Sequence, residues 1–555
     1  MSAPATDLST PPTGPSRGAT PRSGAYAGTA TLARLALRRD RVRLPLWLVG
    51  VVGFLTVSAV SVPEVYPTAA ERQARGEFVR SPVLTIFSGP GYGADDYTVG
   101  AMVANEYLIY GLVAVTLMSI LLVVRHTRRE EETGRAELVR ASVVGARAAP
   151  AAALLVAVGA NLVIGAATAL ALTAGMNQLS ATGSLVFGAS MAATGIVFAA
   201  VAAVGAQVTE HARGAVGIGV AVLAVAFLIR AAGDIGEGRA LSWASPLGWA
   251  QSTQAFVDER WWPLGLSLAA AVALTALAAW LGTRRDVGAG LVAPRPGPAR
   301  ASRWLAQPPG LALRLQRSQL AAWALGLLAF GAVFGSLLGE VENFLADNPQ
   351  LQEFFGAGGD RALLDAFLGT VLLLLALLAS GFAVTAALQL RTQEVEGLAE
   401  PLLATALSRP RWAAGDLVVA LGGGSLALLA AATGAGAAAA VTQGEVSWLA
   451  ELLVAGLAHL PALWLLVALI VALHGLHLAA APWGWVLLLH AGIVGFLGDT
   501  LDLPDAIRGL SPFHHVGDLP GGEADAVALV VLTAGAAGLI VVGLLALQRR
   551  DLHTS

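Results

Sequence analysis

The chain is 555 residues long, 56% hydrophobic and only 13% charged, with a mean hydropathy of +0.69. Soluble chains carry about 25% charge, so this one has too little polar surface to cover a water-soluble body, and the excess apolar surface faces lipid. There is no cysteine and no lysine, which excludes disulfides, thiolate metal sites, Cys nucleophiles and a phosphate-binding P-loop, whose lysine reaches the phosphates. The net charge of −3 says little beside the placement of the charges.

Residues 1–30 are rich in Pro, Gly, Ser and Thr and read as a disordered tail, without the apolar core of a signal peptide. A helix needs about 20 apolar residues to cross the hydrocarbon core. Apolar runs at 44–63, 106–124, 150–175, 184–206, 214–232 and 263–283 are predicted as six spans of a first half, residues 31–286. Residues 287–310 read as a Pro- and Arg-rich cytoplasmic linker. Runs at 319–339, 366–389, 414–441, 453–473, 480–498 and 526–547 are predicted as six spans of a second half, residues 311–550. The fold class is therefore all-α integral membrane, with about 12 transmembrane helices in two parallel, pseudo-symmetric six-helix halves.

With both termini placed in the cytoplasm, 26 of the 34 arginines fall in inner segments and 24 of the 37 acidic residues in outer ones. That is the bias of the positive-inside rule. The expected location is a bacterial plasma membrane, multi-pass, with N- and C-termini inside.

Four patterns occur twice in the same order. Arg38-x2-Arg41-x5-Trp47-x2-Gly50 matches Arg314-x2-Arg317-x5-Trp323-x2-Gly326. Pro82-x-Leu84-x2-Phe87-x-Gly89 matches Pro349-x-Leu351-x2-Phe354-x-Gly356. Arg128-x2-Glu131-x2-Gly134-x-Ala136-Glu137 matches Arg391-x2-Glu394-x2-Gly397-x-Ala399-Glu400. Gly233-Asp234 followed by Ser245-Pro246 matches Gly498-Asp499 followed by Ser511-Pro512. The offsets are 276, 267, 263 and about 265. Six spans per half is an even number, so the two halves enter the membrane in the same sense, a parallel duplication.

The segments after spans 2 and 8, residues 125–150 and 391–411, leave the membrane charged and then turn amphipathic. Leu398, Leu402, Leu403 and Ala406 recur at helical spacing, and acidic residues sit near the start of each helix, where the macrodipole favours them. Each reads as a short helix across the cytoplasmic face. Alone it would be an interfacial cover with Arg on lipid headgroups; its symmetric recurrence fits a two-fold partner better. The basic-amphipathic segments before spans 1 and 7 read as interfacial anchor helices. Outer loops 64–105 and 340–365 are too polar and Gly-rich to span and read as small extracellular caps, a passive plug being the plainer alternative.

Polar residues inside spans are costly and often functional. Asn161 and His459 read as bridges between helices, each of His459, His474 and His490 also as a candidate to touch a transported species, and Glu451, Asp234 and Asp499 as solvated outer-end acids. The Gly/Ala run at 422–440 allows close helix contacts. His514-His515 lack companions at ligand spacing, so no metal site and no catalytic residue is assigned.

Two tandem six-span halves, each with an amphipathic entry helix and an E-x2-G-x-A-E segment after its second span, resemble the ABC-2 type transporter permeases. The fused twelve-span form resembles the actinobacterial exporters of polyketide antibiotics and drugs. The resemblance covers almost the whole chain after residue 30. It implies export of hydrophobic or amphipathic compounds powered by a separate ATPase subunit, present as a dimer that binds ATP and Mg and docks beneath coupling helices. Those helices would contain Arg128, Glu131, Gly134 and Glu137 in one half and Arg391, Glu394, Gly397 and Glu400 in the other. It also implies a substrate path between the halves, lined by each half's second and fifth spans, which points to Tyr110, Met118, Phe227, Phe382, His490 and Phe496. The halves differ at Pro401, which stands where the first has Leu138. An ion-gradient-driven secondary transporter is the alternative, weakened by the scarcity of intramembrane carboxylates; a non-transporting scaffold or intramembrane enzyme is the third reading.

Overall fold

In hydrocarbon every backbone N–H and C=O must be satisfied within the segment, and this chain does so with helices. The computed structural model describes residues 24–80, 82–235, 240–286, 288–293, 297, 299–339, 342, 359–498, 503–517, 519–522 and 524–551. Among them there is no strand, and twelve helices are long and apolar enough to cross a membrane. The chain is a twelve-span membrane protein. It divides into two compact units, residues 1–296 and 297–555, each with six spans. Most of the 1–30 tail, most of the outer loop 340–365, Asp499 and the second copy of the Pro-x-Leu pattern lie outside the described residues.

In the first unit the spans are Arg43–Val65, Val99–Glu132, Ala148–Gly175, Ala181–Val208, Ala212–Asp234 and Pro263–Leu281. Span 4 is the central helix, with 78% of its apolar window buried, against 17% for span 6 at the periphery. Its start is fixed by Ser180, whose hydroxyl accepts from Gly183 N at 2.9 Å. Span 2 is likewise capped by Thr98. Leu55, Leu112, Phe187, Met191 and Phe198 fill the core between spans 1, 2 and 4. Val57, Leu170 and Leu268 point outward on the lipid side. Asn161 of span 3 is fully buried and donates to Ser119 Oγ of span 2 at 2.8 Å, the bridge expected of it.

In the second unit the spans are Pro308–Ser336, Phe367–Val395, Arg409–Gln443, Ser447–Leu476, Leu478–Phe496 and Ala526–Arg549. Spans 8 and 10 are central. Spans 7 and 9 pack backbone to backbone: a Cβ on Gly331 would stand 2.1 Å from Ala431 O, on Gly335 2.0 Å from Ala435 O, and on Gly434 2.0 Å from Leu328 O. The Gly/Ala run thus serves the close contact expected of it.

Four expectations need correction. The segment before span 7 is not a separate anchor helix but the first turns of one continuous helix, Pro308–Ser336. In the first half the entry helix Thr29–Arg39 is distinct. There Asp40 turns inward, buried, onto Arg125 Nε at 3.2 Å and His126; the second half has Gln316 at that repeat position, which stays helical and donates to Asp416 at 2.8 Å. His459 does not bridge helices; its Nδ1 pairs with Ala455 O at 2.8 Å, one turn back. Asp234 is not solvated: it is buried beside Arg230 at 3.3 Å and accepts from Ser242 at 2.7 Å.

The fourth concerns the outer loop 64–105, which is more than a passive plug. Helices Ala69–Val79 and Pro82–Ser88 lead to a turn with Gly89, Gly91 and Gly93 at positive φ. Span 5 reaches into this cap. Arg230, fully buried, donates to the carbonyls of Thr85, at 3.5 Å, and Ile86. Gln251 donates to Ser88 O at 2.7 Å and Asn105 to Tyr92 O at 2.8 Å. Burial, with Glu106 beside it, pushes the Tyr97 phenol above its ordinary value.

Candidate functional site

The two E-x2-G-x-A-E segments fold alike. Neither is one amphipathic helix; each is two short helices broken at the motif glycine. The first pair is Arg128–Glu132 and Arg135–Arg140, the second Gln389–Val395 and Ala399–Leu403. Gly134 and Gly397 both sit at φ 71°, in the left-handed region that glycine enters without a Cβ penalty. Gly134 N donates to Glu131 O at 3.1 Å and Gly397 N to Glu394 O at 3.2 Å. Glu137 N and Glu400 N then donate to the glycine carbonyls, at 3.2 and 3.3 Å. The helical spacing of Leu398, Leu402 and Leu403 misled because Gly397 breaks it: Leu398 is 55% exposed, whereas Leu402 and Leu403 pack on the core.

The motif glutamates divide into two kinds. Glu137 and Glu400 are exposed. So are their neighbours Leu138, at 77%, and Leu398. Glu131 and Glu394 face inward. Arg285, just past span 6, grips Glu131 with both guanidinium arms, Nη1 to Oε2 at 2.8 Å and Nη2 to Oε1 at 2.9 Å. Its Nε donates to Gln207 Oε1, at the end of span 4, at 2.6 Å. Arg128, fully buried, adds a contact to Glu131 Oε2 at 2.5 Å. In the second unit Arg550, just past span 12, donates to Glu394 Oε2 at 2.6 Å, and His474 Nε2, near the end of span 10, lies 3.4 Å from the same oxygen. Gln393 next to it joins Trp412 and Asp416, at 2.8 and 2.9 Å. Arg391 is half-buried and within electrostatic reach of His474.

Of the path residues, Met118 and Phe382 are buried inside their bundles, Phe382 against Trp323 with centroids 6.5 Å apart. Tyr110 and Phe496 are exposed, at 54% and 42%. Tyr110 meets Phe54 edge to face. Phe227 is half-buried under the Arg230 guanidinium, 4.7 Å from its ring centroid. His490 is half-buried with Nε2 unbonded. An apolar groove of about 360 Å³ on span 7 is lined by Ala322, Trp323, Gly326, Leu327, Phe330 and, from span 8, Leu378.

Along 536 residues, 96% of each chain, the sequence is 42% identical to the multidrug efflux system permease protein Rv1217c of Mycobacterium tuberculosis (strain ATCC 25618 / H37Rv). The chain belongs to the Rv1217c multidrug efflux permease family. Residues 305–548 also match the model of that family's C-terminal domain, which spans the second half almost from entry to exit. As a member of this permease family the chain is a membrane-embedded transporter component.

Sequence reasoning missed Arg285, Arg550, Gln207 and Arg230. A signal for the first three existed. Arg285 and Arg550 stand 265 residues apart, and Gln207 stands 267 before His474, both within the range of the repeat offsets. Arg230 gave itself away only as a charge near the end of an apolar run.

Proposed function

We propose that this chain is the membrane-spanning permease of an ATP-binding-cassette exporter of the ABC-2 type, and that it moves hydrophobic or amphipathic drug-like compounds out of the cell. The observation that carries the reading is the pair of matching glycine turns, each holding one glutamate inward as a brace and one outward, Glu137 and Glu400. Two equal surfaces on one chain suit a dimeric partner. The partner is a separate ATPase that binds ATP and Mg. The chain has no lysine for a P-loop of its own. Arginine placement puts these turns, and both termini, in the cytoplasm.

The relative's name carries multidrug efflux, and the mainly apolar character of the exposed path residues fits such substrates. The polyketide-antibiotic subclass is the narrower form of the same proposal. Replacing both Glu137 and Glu400 with Ala uncouples ATP hydrolysis from efflux on this reading. Efflux unchanged in the double variant would remove the docking assignment.

A further inference from the structure

The repeat also exists in three dimensions, as two polar triads. Each draws one residue from the end of a half's second span, one from the end of its fourth and one from just past its sixth. The first is Glu131, Gln207 and Arg285; the second is Glu394, His474 and Arg550. The paired positions are 263, 267 and 265 residues apart, within the range of the sequence repeats. In each unit the triad links three spans directly above the glycine turn.

We propose that the two triads are positioning struts that carry movement of the docking turns into the fourth and sixth spans of each half, and that the second strut alone is a proton switch. The difference lies in the third member. Gln207 is neutral at every pH and accepts from Arg285 Nε, which leaves both Arg285 arms on Glu131. His474 occupies the equivalent place but makes no hydrogen bond through either ring nitrogen. Its Nε2 instead faces the Glu394 oxygen that Arg550 holds. A neutral imidazole leaves that oxygen to Arg550. An imidazolium offers it a second cation and draws it away.

The charged groups facing His474 are Glu394 and Arg391 from span 8 and Arg550 from beyond span 12. Arg409, at the start of span 9, stands behind them and holds Arg550 O at 2.6 Å. Protonation therefore adds a cation to a site with two arginines and one glutamate among these groups, and loosens the strut. Histidine alone among the three members can gain a charge as the medium turns acid, whereas Gln207 in the equivalent place cannot.

The inference rests on the docking reading, and the experiment separates the two. Initial rates of ATP-driven dye uptake are measured in inside-out vesicles bearing the full chain and its partner, from pH 4 to 8, with a protonophore present. The wild type is expected to lose about twofold or more at the acid end, the loss that protonating half of the His474 population gives if the loosened strut does not transmit movement. His474→Gln flattens that step. Gln207→His deepens it by placing a second switch in the first half. The acid step persisting in His474→Gln overturns the proposal. The pair Glu394→Arg with Arg550→Glu guards against simple misfolding: uptake lost in each single variant and regained in the double supports the strut, and no recovery counts against it. Uptake that follows a proton gradient and ignores ATP overturns the docking reading. The triad is then judged on the melting temperature of the purified chain across the same pH range, where His474→Gln must remove the acid shift or the proposal falls.

Discussion

Glu131 and Glu137 are six residues apart in one motif, yet the structure gives them opposite surroundings, and a pair of alanine variants separates the roles proposed for them. Glu131 accepts a bidentate pair from Arg285 and a third contact from Arg128, and its side chain is 13% exposed while that of Arg285 is 9% exposed. Truncating it leaves two poorly solvated guanidinium groups without their carboxylate. Breaking a buried pair costs about 3–5 kcal/mol; the partial access at this end of the bundle places Glu131→Ala near the lower figure, about 3 kcal/mol. Glu137 accepts no such pair and is exposed, so Glu137→Ala falls within about 0.5 kcal/mol of the wild type. Equilibrium unfolding in mixed micelles, followed by tryptophan fluorescence, measures both. Efflux of a fluorescent dye from cells then separates brace from docking surface, since Glu137→Ala loses efflux at normal stability and Glu131→Ala loses both. Equal destabilisation by the two variants, or none by Glu131→Ala, would refute the division of the motif.

Three further outcomes follow from the packing. Gly335→Ala places a Cβ 2.0 Å from Ala435 O and forces spans 7 and 9 apart, a cost of about 1–3 kcal/mol in unfolding, whereas Gly326→Ala, with nothing within 4 Å, is silent. Arg230→Leu strips the cation from buried Asp234 and the donors from the Thr85 and Ile86 carbonyls, lowering stability by about 3 kcal/mol or more; adding Asp234→Leu recovers part of that loss, read in the same unfolding assay. Asn161→Ala removes the buried bond to Ser119 between spans 3 and 2 and costs about 1–3 kcal/mol, while Ser119→Ala, which leaves the Asn161 amide its bond to Ala157 O, costs less.

The spans were legible because lipid imposes one rule, about 20 apolar residues without charge, and runs such as 263–283 and 526–547 obey it within two residues of the helices Pro263–Leu281 and Ala526–Arg549. What lay beyond the hydrocarbon was less legible. Span 2 continues past its apolar run as far as Glu132 because Arg128 is buried and paired with Glu131, which apolar counting does not see. The motif marks the glycine turns, but helical spacing alone does not show that Gly397 takes a positive φ and breaks the helix. Glu131 and Glu394 stand among the docking residues that the family resemblance implies, and nothing in the local sequence marks them as turned inward. Their partners Arg285 and Arg550 arrive from more than 150 positions along the chain, so their burial shows only in three dimensions.

The absence of cysteine opens the docking surface to a direct test. Glu137→Cys and Glu400→Cys each introduce a single thiol, and a short maleimide–photoactivatable linker then reports what touches it in membranes holding the full complex. Cross-links to an ATP-hydrolysing subunit are expected from both positions, and none from a lipid-side control, Leu170→Cys. Cross-links from neither glutamate position, in membranes that hold both subunits, would contradict the assignment of these turns as the seat of the ATPase.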